Sequence, residues 1–333
     1  MYNDDPRYRT YQMLRPVSTE LSDLSTNHFL KKKTNQEGYR NKDKRAALVS
    51  VTNSEQSKYA LAFEESNGFF TDIAESDWKL LKERQRSSTF CYKNDCKKWV
   101  NQPSKWYQVN FEPTFTCQHE MRLGGLGDGP KWVCDPHRIA KDDCLVYSIG
   151  SYNNFDFEES VLRDISKNCE IHTFDPNVGT SPSNKPAGVH FHPWGLAQKT
   201  RGKMKSLKDI VSALGHEHRQ IDIFKIDCEG CEWGTFPAWL EVPNIRQIQA
   251  ELHKSSKGFD LLSAMYKKFF VIFHKEPNTY GCKGDCIEYA FLKLNKTFFE
   301  TPRRESYTVI PSKPAVISSG QTENTKAVPV VFL

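Results

Sequence analysis

A chain of 333 residues, 38% hydrophobic and 26% charged, has enough apolar material for one large domain or two modest ones. No stretch approaches the ~18 consecutive apolar residues of a membrane span, and no apolar run follows the opening MYNDDPRYRT to act as a secretory leader, which fits a cytosolic protein or one whose leader lies outside this sequence. The net charge of +5 is spread along the chain, and the basic runs Lys31-Lys32-Lys33 and Lys42 to Arg45 lack the interleaved aromatics of a nucleic-acid platform, so no nucleic-acid partner is expected.

Residues 1–70 are mostly polar and without sustained period, and are expected to be largely disordered. Residues 71–140 open with a helix over Asp72 to Arg86, whose Trp78, Leu80 and Leu81 give it an apolar side. They continue as a loop-rich cap holding Cys91, Cys96, Cys117 and Cys134, whose pairing has three alternatives. Trp99, Trp106, Tyr107, Arg122 and Trp132 either line an acceptor pocket or form the cap's own core.

From 141 to 296 the pattern alternates between strand and helix. Strands are expected over Leu145 to Ile149, Glu170 to Phe174, Val189 to Pro193, Ile221 to Ile226 and Ile245 to Leu252. Helices are expected over Phe157 to Ile165, Ser206 to Leu214 and Phe259 to Lys267, with Ser206 as a cap. This is the signature of an α/β, doubly wound parallel sheet. The last two strands, Phe269 to Phe273 and Ile287 to Leu294, are joined by a Pro/Asn/Gly-rich stretch with no helical pattern. They must therefore pair as an antiparallel hairpin, because a parallel crossover needs a dozen or more residues. That ending disfavours the dinucleotide-binding order. Residues 297–333 read as a flexible tail.

Ligands of such sheets bind at the carboxyl ends of the strands. Gly150 ends the first strand and is followed by Ser151, so one glycine stands where a pyrophosphate loop needs several. Asp175 ends the second strand, where a carboxylate accepts hydrogen bonds from a ribose diol. Phe174 and Pro176 flank it. Trp194, in the turn after the third strand, is a candidate to stack on an adenine. Asp227, Glu229 and Glu232 follow the fourth strand, and Glu251 and His253 end the fifth. Asp227 or His253 is a candidate base, with Glu229 beside them. Asp227, Glu229, Glu251 and His253 also offer oxygen and imidazole ligands for a hard divalent metal ion, an alternative that is not favoured. Cys228 and Cys231 form a CxxC without the second pair of a zinc ribbon, and read as packing thiols. Cys282 and Cys286 are placed to staple the last hairpin loop.

The run Phe224 to Trp233, FKIDCEGCEW, resembles the KIDxEGxE signature of FkbM-type methyltransferases. Together with VYSIG, TFDP, HPWGL, the Ala250 to His253 run and KWVCDP at Lys131 to Pro136, the stretch 86–296 is similar to the methyltransferase-like protein 24 family. The resemblance implies a class I methyltransferase (Rossmann-like) fold, S-adenosyl-L-methionine as donor, and transfer to an oxygen. With that donor, Gly150, Ser151, Asp175, Trp194 and Asp227 are the expected cofactor-binding residues, and a hydroxyl on a small molecule or glycan is the expected acceptor. Ser151 and Asn153 stand where the family's loop has small glycines. Two other readings remain: a binding protein of this fold without catalysis, and another Rossmann-like nucleotide-dependent enzyme. The cysteines and the sequon Asn295-Lys296-Thr297 lean towards a secretory lumen and a glycoprotein.

Overall fold

The structure is a computed structural model that describes residues 58–300 apart from Pro243. Of the disorder expected over 1–70 and the tail expected over 297–333, the parts before 58 and after 300 lie outside the described residues. Within the described residues the expectation fails, because 58–65 form a helix and Ala62, Phe69 and Phe70 pack in the core, and Lys296–Phe299 form a short helix that buries Phe298.

Apolar runs become strands where the sequence alternates between two faces. Strands β3 (Leu145–Ile149), β4 (Glu170–Phe174), β5 (Val189–His192), β8 (Ile221–Ile226), β9 (Ile245–His253), β10 (Phe270–Asn278) and β11 (Cys286–Lys293) form one sheet in the order β10-β11-β9-β8-β3-β4-β5. Strands β5, β4, β3, β8 and β9 pair in parallel, and β11 runs antiparallel to both β9 and β10. The antiparallel ending therefore forms as expected. The tertiary structure adds that β11 doubles back inside, between β9 and β10. Helix α7 (Gly258–Lys267) carries the chain past one strand position, and β11 fills the gap.

Each face of the sheet has its own core. Leu145, Tyr147 and Ile149 of β3 join Ile248, Ala250 and Leu252 of β9 on one face. Val146 and Ile171 join Ile223 and Leu292 on the other. Helix α5 (Leu207–Ala213) starts as expected, with the Ser206 hydroxyl accepting from the Asp209 amide at 3.1 Å. The helix expected over Phe157 to Ile165 runs from Asp156 to Ser160 and then widens into a π turn over Val161–Ile165.

The cap is more regular than its sequence suggests. It holds helix α2 (Glu75–Ser87), helix α3 (Pro103–Val109) and a hairpin of β1 (Glu120–Leu123) and β2 (Lys131–Cys134). The buried amide of Gln247 on β9 bonds both backbone groups of Cys134, at 2.8 Å each. A side chain thus does for β2 what a neighbouring strand does in a sheet, and the hairpin is seated on the sheet face without leaving polar groups unpaired.

All ten cysteines are paired, as 91–96, 117–134, 144–169, 228–231 and 282–286. Cys228 and Cys231 are thus a disulfide and not packing thiols. Cys282–Cys286 is the staple that the spacing allows. Cys144–Cys169 links the feet of β3 and β4 and closes a loop around the helix between them. Replacing both with alanine is expected to cost about 2–4 kcal/mol, read as a lower urea midpoint under non-reducing conditions.

Candidate active site

A cleft of about 830 Å³ opens at the carboxyl ends of β3, β4, β8 and β9, the position expected for an open α/β sheet. The cap turn at Gly124 to Pro130 and the hairpin loop at Gly281 to Cys286 form its other walls. Asn278 ties these walls together, donating to Asp128 at 2.7 Å and to Glu251 at 2.9 Å. Both site disulfides, Cys228–Cys231 and Cys282–Cys286, line the cleft.

The first turn is set by packing at its base. Gly150 has φ +81°, and a Cβ there would overlap the carbonyl oxygen of Asp227. The tips of β3 and β8 can approach this closely only at a glycine. Tyr152 and Asn153 then take φ 46° and 64°, left-handed geometry without glycine. Asp175 helps to hold them there. One of its oxygens accepts from the Tyr152 amide and the other from the Asn177 amide, both at 2.8 Å. Asp175 is thus a clamp on the loop, and each oxygen keeps a second lone pair facing the site. Ser151, Phe174, Asp175 and Pro176 all line the cleft.

Trp194 does not line the cleft. Its ring stacks on His192 at 4.7 Å, with the Lys205 ammonium 5.4 Å from its centre. Leu196 and Met204 take the wall position instead. Nor do the cap aromatics line it. Trp106 and Tyr107 are in the core, and Trp132 stacks on His274 at 4.2 Å. Arg122 braces the glycine turn through the carbonyls of Gly125 and Gly127.

The cleft floor is a charge cluster built on Lys131, a residue of β2 that strand-tip reasoning missed. Its side chain is 1% exposed, and its ammonium lies 2.7 Å from Glu288 and 3.1 Å from Asp227. Burial alone would lower its pKa, but the charges of Glu288, Asp227 and Glu251 outweigh that and raise it. Burial likewise opposes ionisation of Asp227. The Lys131 and Lys225 ammoniums prevail and hold it well below the usual carboxylate range. At Glu251 the pull of Lys131 is the smaller effect. Burial, then the charges of Asp227 and Glu288, push it well above the usual range, and it shares a hydrogen bond with Asp227. Burial also raises Glu288, whose Oε2 has no hydrogen-bond partner.

His253 belongs to a separate pair. Glu232, fully buried at the start of α6 (Glu232–Trp239), accepts from the His253 amide at 2.8 Å and lies 3.0 Å from its Nδ1. Glu229 is 3.3 Å from the Nε2 but is itself 87% exposed. Burial disfavours the imidazolium, yet Glu232 first, then Glu251 and Glu229, raise its pKa to about 9. His253 is therefore charged at neutral pH.

The four residues considered as metal ligands divide into two groups. Asp227, Glu229 and His253 converge, as do Asp227, Glu251 and Glu288, each with ligand atoms within 4.8 Å. In the first group His253 also meets Glu232, and in the second the Lys131 ammonium lies against Asp227 and Glu288.

A family profile described as a methyltransferase domain matches residues 60–293, and the chain belongs to that family. The sheet, with its reversed strand between two others, is the doubly wound sheet of class I methyltransferases. The chain is accordingly a methyltransferase, and the family implies S-adenosyl-L-methionine as its methyl donor. No curated protein matches it. Two solved structures are similar in part. The fibrillarin pre-rRNA processing protein of Methanococcus jannaschii gives a TM-score of 0.33 at 7% identity, over 46% of this chain and 68% of that one. A putative ribosomal RNA methyltransferase of Plasmodium falciparum gives 0.34 at 15% identity, over 46% and 88%.

Two measurements check the charge cluster. Lys131→Met leaves Asp227 and Glu288 buried without a countercharge and is expected to destabilise by about 3–5 kcal/mol; adding Glu288→Gln restores part of the loss. For His253, the folded pKa of about 9 lies above the ordinary 6.5. Its contribution is complete below about pH 6.5 and is lost as pH rises through 9. NMR titration should find that high value in the native protein and a lower one in Glu232→Gln.

Proposed function

We propose that this enzyme transfers a methyl group to a hydroxyl oxygen on a small molecule or glycan, and that it does so in the secretory lumen. What carries the reading is the cleft floor. Carboxylates gather at the tips of β8 and β9, beside a turn clamped by Asp175. The closer kinship to the methyltransferase-like protein 24 and FkbM-type families is part of the same proposal and rests on the KIDCEGCE run.

The cleft fits S-adenosyl-L-methionine in size and in charge. Ligand pockets run from about 300 to 1,000 Å³, and this one has about 830 Å³. When bound, the donor supplies an electrophilic methyl on a cationic sulfur. The Asp227 carboxylate, ionised at the floor, would face that charge. Asp175 would accept from the ribose hydroxyls, with Gly150 and Ser151 as the close backbone approach. Phe174, Pro176 and Leu196 offer the apolar surface for the base in place of Trp194.

An attacking hydroxyl must lose a proton as the oxygen–carbon bond forms. His253 is already charged, so it serves poorly as the base. Asp227 is ionised, faces the cleft and is hydrogen-bonded to Glu251. We assign the proton to that pair, with the His253 charge held by Glu232 as a fixed neighbour. Glu229, exposed at the mouth, is placed to meet the acceptor. The five cysteine pairs support an oxidising compartment, since such bonds are rare in the cytosol.

Calorimetry of the full chain with S-adenosyl-L-methionine tests the donor site. Wild type should bind, and saturation at about 100 times the dissociation constant should add ~2.7 kcal/mol of stability. Asp175→Ala should lose most of that binding, and Asp175→Asn should keep more of it. A folded wild type that binds no donor would end the reading.

A further inference from the structure

Three loops meet beside the cleft mouth and carry an unusual charge. Residues 97–105 hold Lys97, Lys98 and Lys105; residues 254–257 hold Lys254 and Lys257; residues 281–286 hold Lys283. The acidic residue in these three stretches is Asp285. The loops are tied together. Ser255 donates to the carbonyl of Val100 at 2.6 Å, Tyr107 donates to the carbonyl of Lys254, and the Lys254 amide donates to the backbone carbonyl of Asp285 at 2.9 Å. They also adjoin the site, because Lys254 follows His253 and Lys283 follows Cys282, both of which line the cleft.

All six lysines are exposed, and none has a carboxylate in ion-pair range among the described residues. Two of them rest on an aromatic ring. The Lys98 ammonium lies 4.5 Å from the Trp99 ring centre and 5.5 Å from that of Tyr92, and Lys105 lies 5.9 Å from Trp99. Such contacts hold a cation in place without neutralising it. Like charges gathered in this way repel one another and raise the local concentration of anions.

We propose that these lysines dock an anionic glycan, a chain bearing sulfate or carboxylate groups, and that a sugar hydroxyl of that chain is the methyl acceptor. The acceptor half rests on the methyltransferase reading above, and the choice of a glycan rests on the secretory compartment proposed with it; the docking itself does not depend on donor binding. A glycan suits the surface better than a nucleic acid for two reasons. Five disulfides fit a compartment rich in acidic glycans. The rings of Tyr92 and Trp99 also already carry lysine ammoniums, at 5.5 and 4.5 Å for Lys98, which a stacking base would have to displace.

The test titrates the full chain with a heparin-derived oligosaccharide over a range of salt, alongside a neutral oligosaccharide and a single-stranded RNA. Wild type should prefer the sulfated chain, with affinity falling steeply as salt rises. Lys97→Gln/Lys98→Gln/Lys105→Gln should bind it on the order of tenfold more weakly, and its salt slope should drop by about one per lysine removed. Donor affinity and melting temperature should not change in that variant. No binding by wild type, undiminished binding by the variant, or tighter binding of the RNA would each overturn the proposal. Loss of donor binding in wild type with glycan binding intact would instead sink the methyltransferase reading and leave the docking surface standing.

Discussion

A lysine ammonium buried among three carboxylates is the interaction on which this site depends. Taking either charge alone out of water costs several kcal/mol, so Lys131, Asp227 and Glu288 are stable only together. Their meeting requires β2 to lie on the sheet face, and that requires Gln247 to satisfy the backbone of Cys134. The cap is therefore more than a cover over a finished catalytic domain. It supplies the cation that lets Asp227 after β8 and Glu288 at the amino end of β11 be buried together.

Lys131 also divides the labour among the acids. Asp227 and Glu251 end adjacent strands, yet their acidities are pushed apart: against burial, the ammoniums of Lys131 and Lys225 hold the first low, whereas burial and the charges of Asp227 and Glu288 outweigh Lys131 and push the second up. Such a pair presents one negative charge and one proton to the cleft at neutral pH. His253, equally close in sequence, is drawn out of proton chemistry by a buried Glu232 that keeps it charged. Types of residue that look interchangeable as bases are thereby given different roles by their partners.

Stiffness at the cleft comes from covalent and steric limits. The turn after β8 and the loop before β11 are each closed by a short disulfide, and Asn278 links the second to the cap turn. On the far side, Gly150 abuts the Asp227 carbonyl while Asp175 holds the Tyr152 amide. Beyond these braces lie the exposed lysines of the 97–105, 254–257 and 281–286 loops, which have no carboxylate in ion-pair range among the described residues.

The periodicity of short apolar runs already determined the alternating elements and the antiparallel pairing of the last two strands. It also placed Gly150, Asp175, Asp227, Glu251 and His253 at strand ends, because strand tips are local features. The alternation in Gln247 to Leu252 even puts Gln247, Gln249 and Glu251 on one face. What the sequence could not determine is which distant residues meet that face. Lys131 lies 96 positions before Asp227, and no spacing rule links them. The position of β11 inside β10, the removal of Trp194 to a histidine stack and the charged state of His253 share this cause. Each is set by neighbours that only the packed sheet brings within a few ångströms, and a charge or a ring responds to those neighbours rather than to its place in the chain.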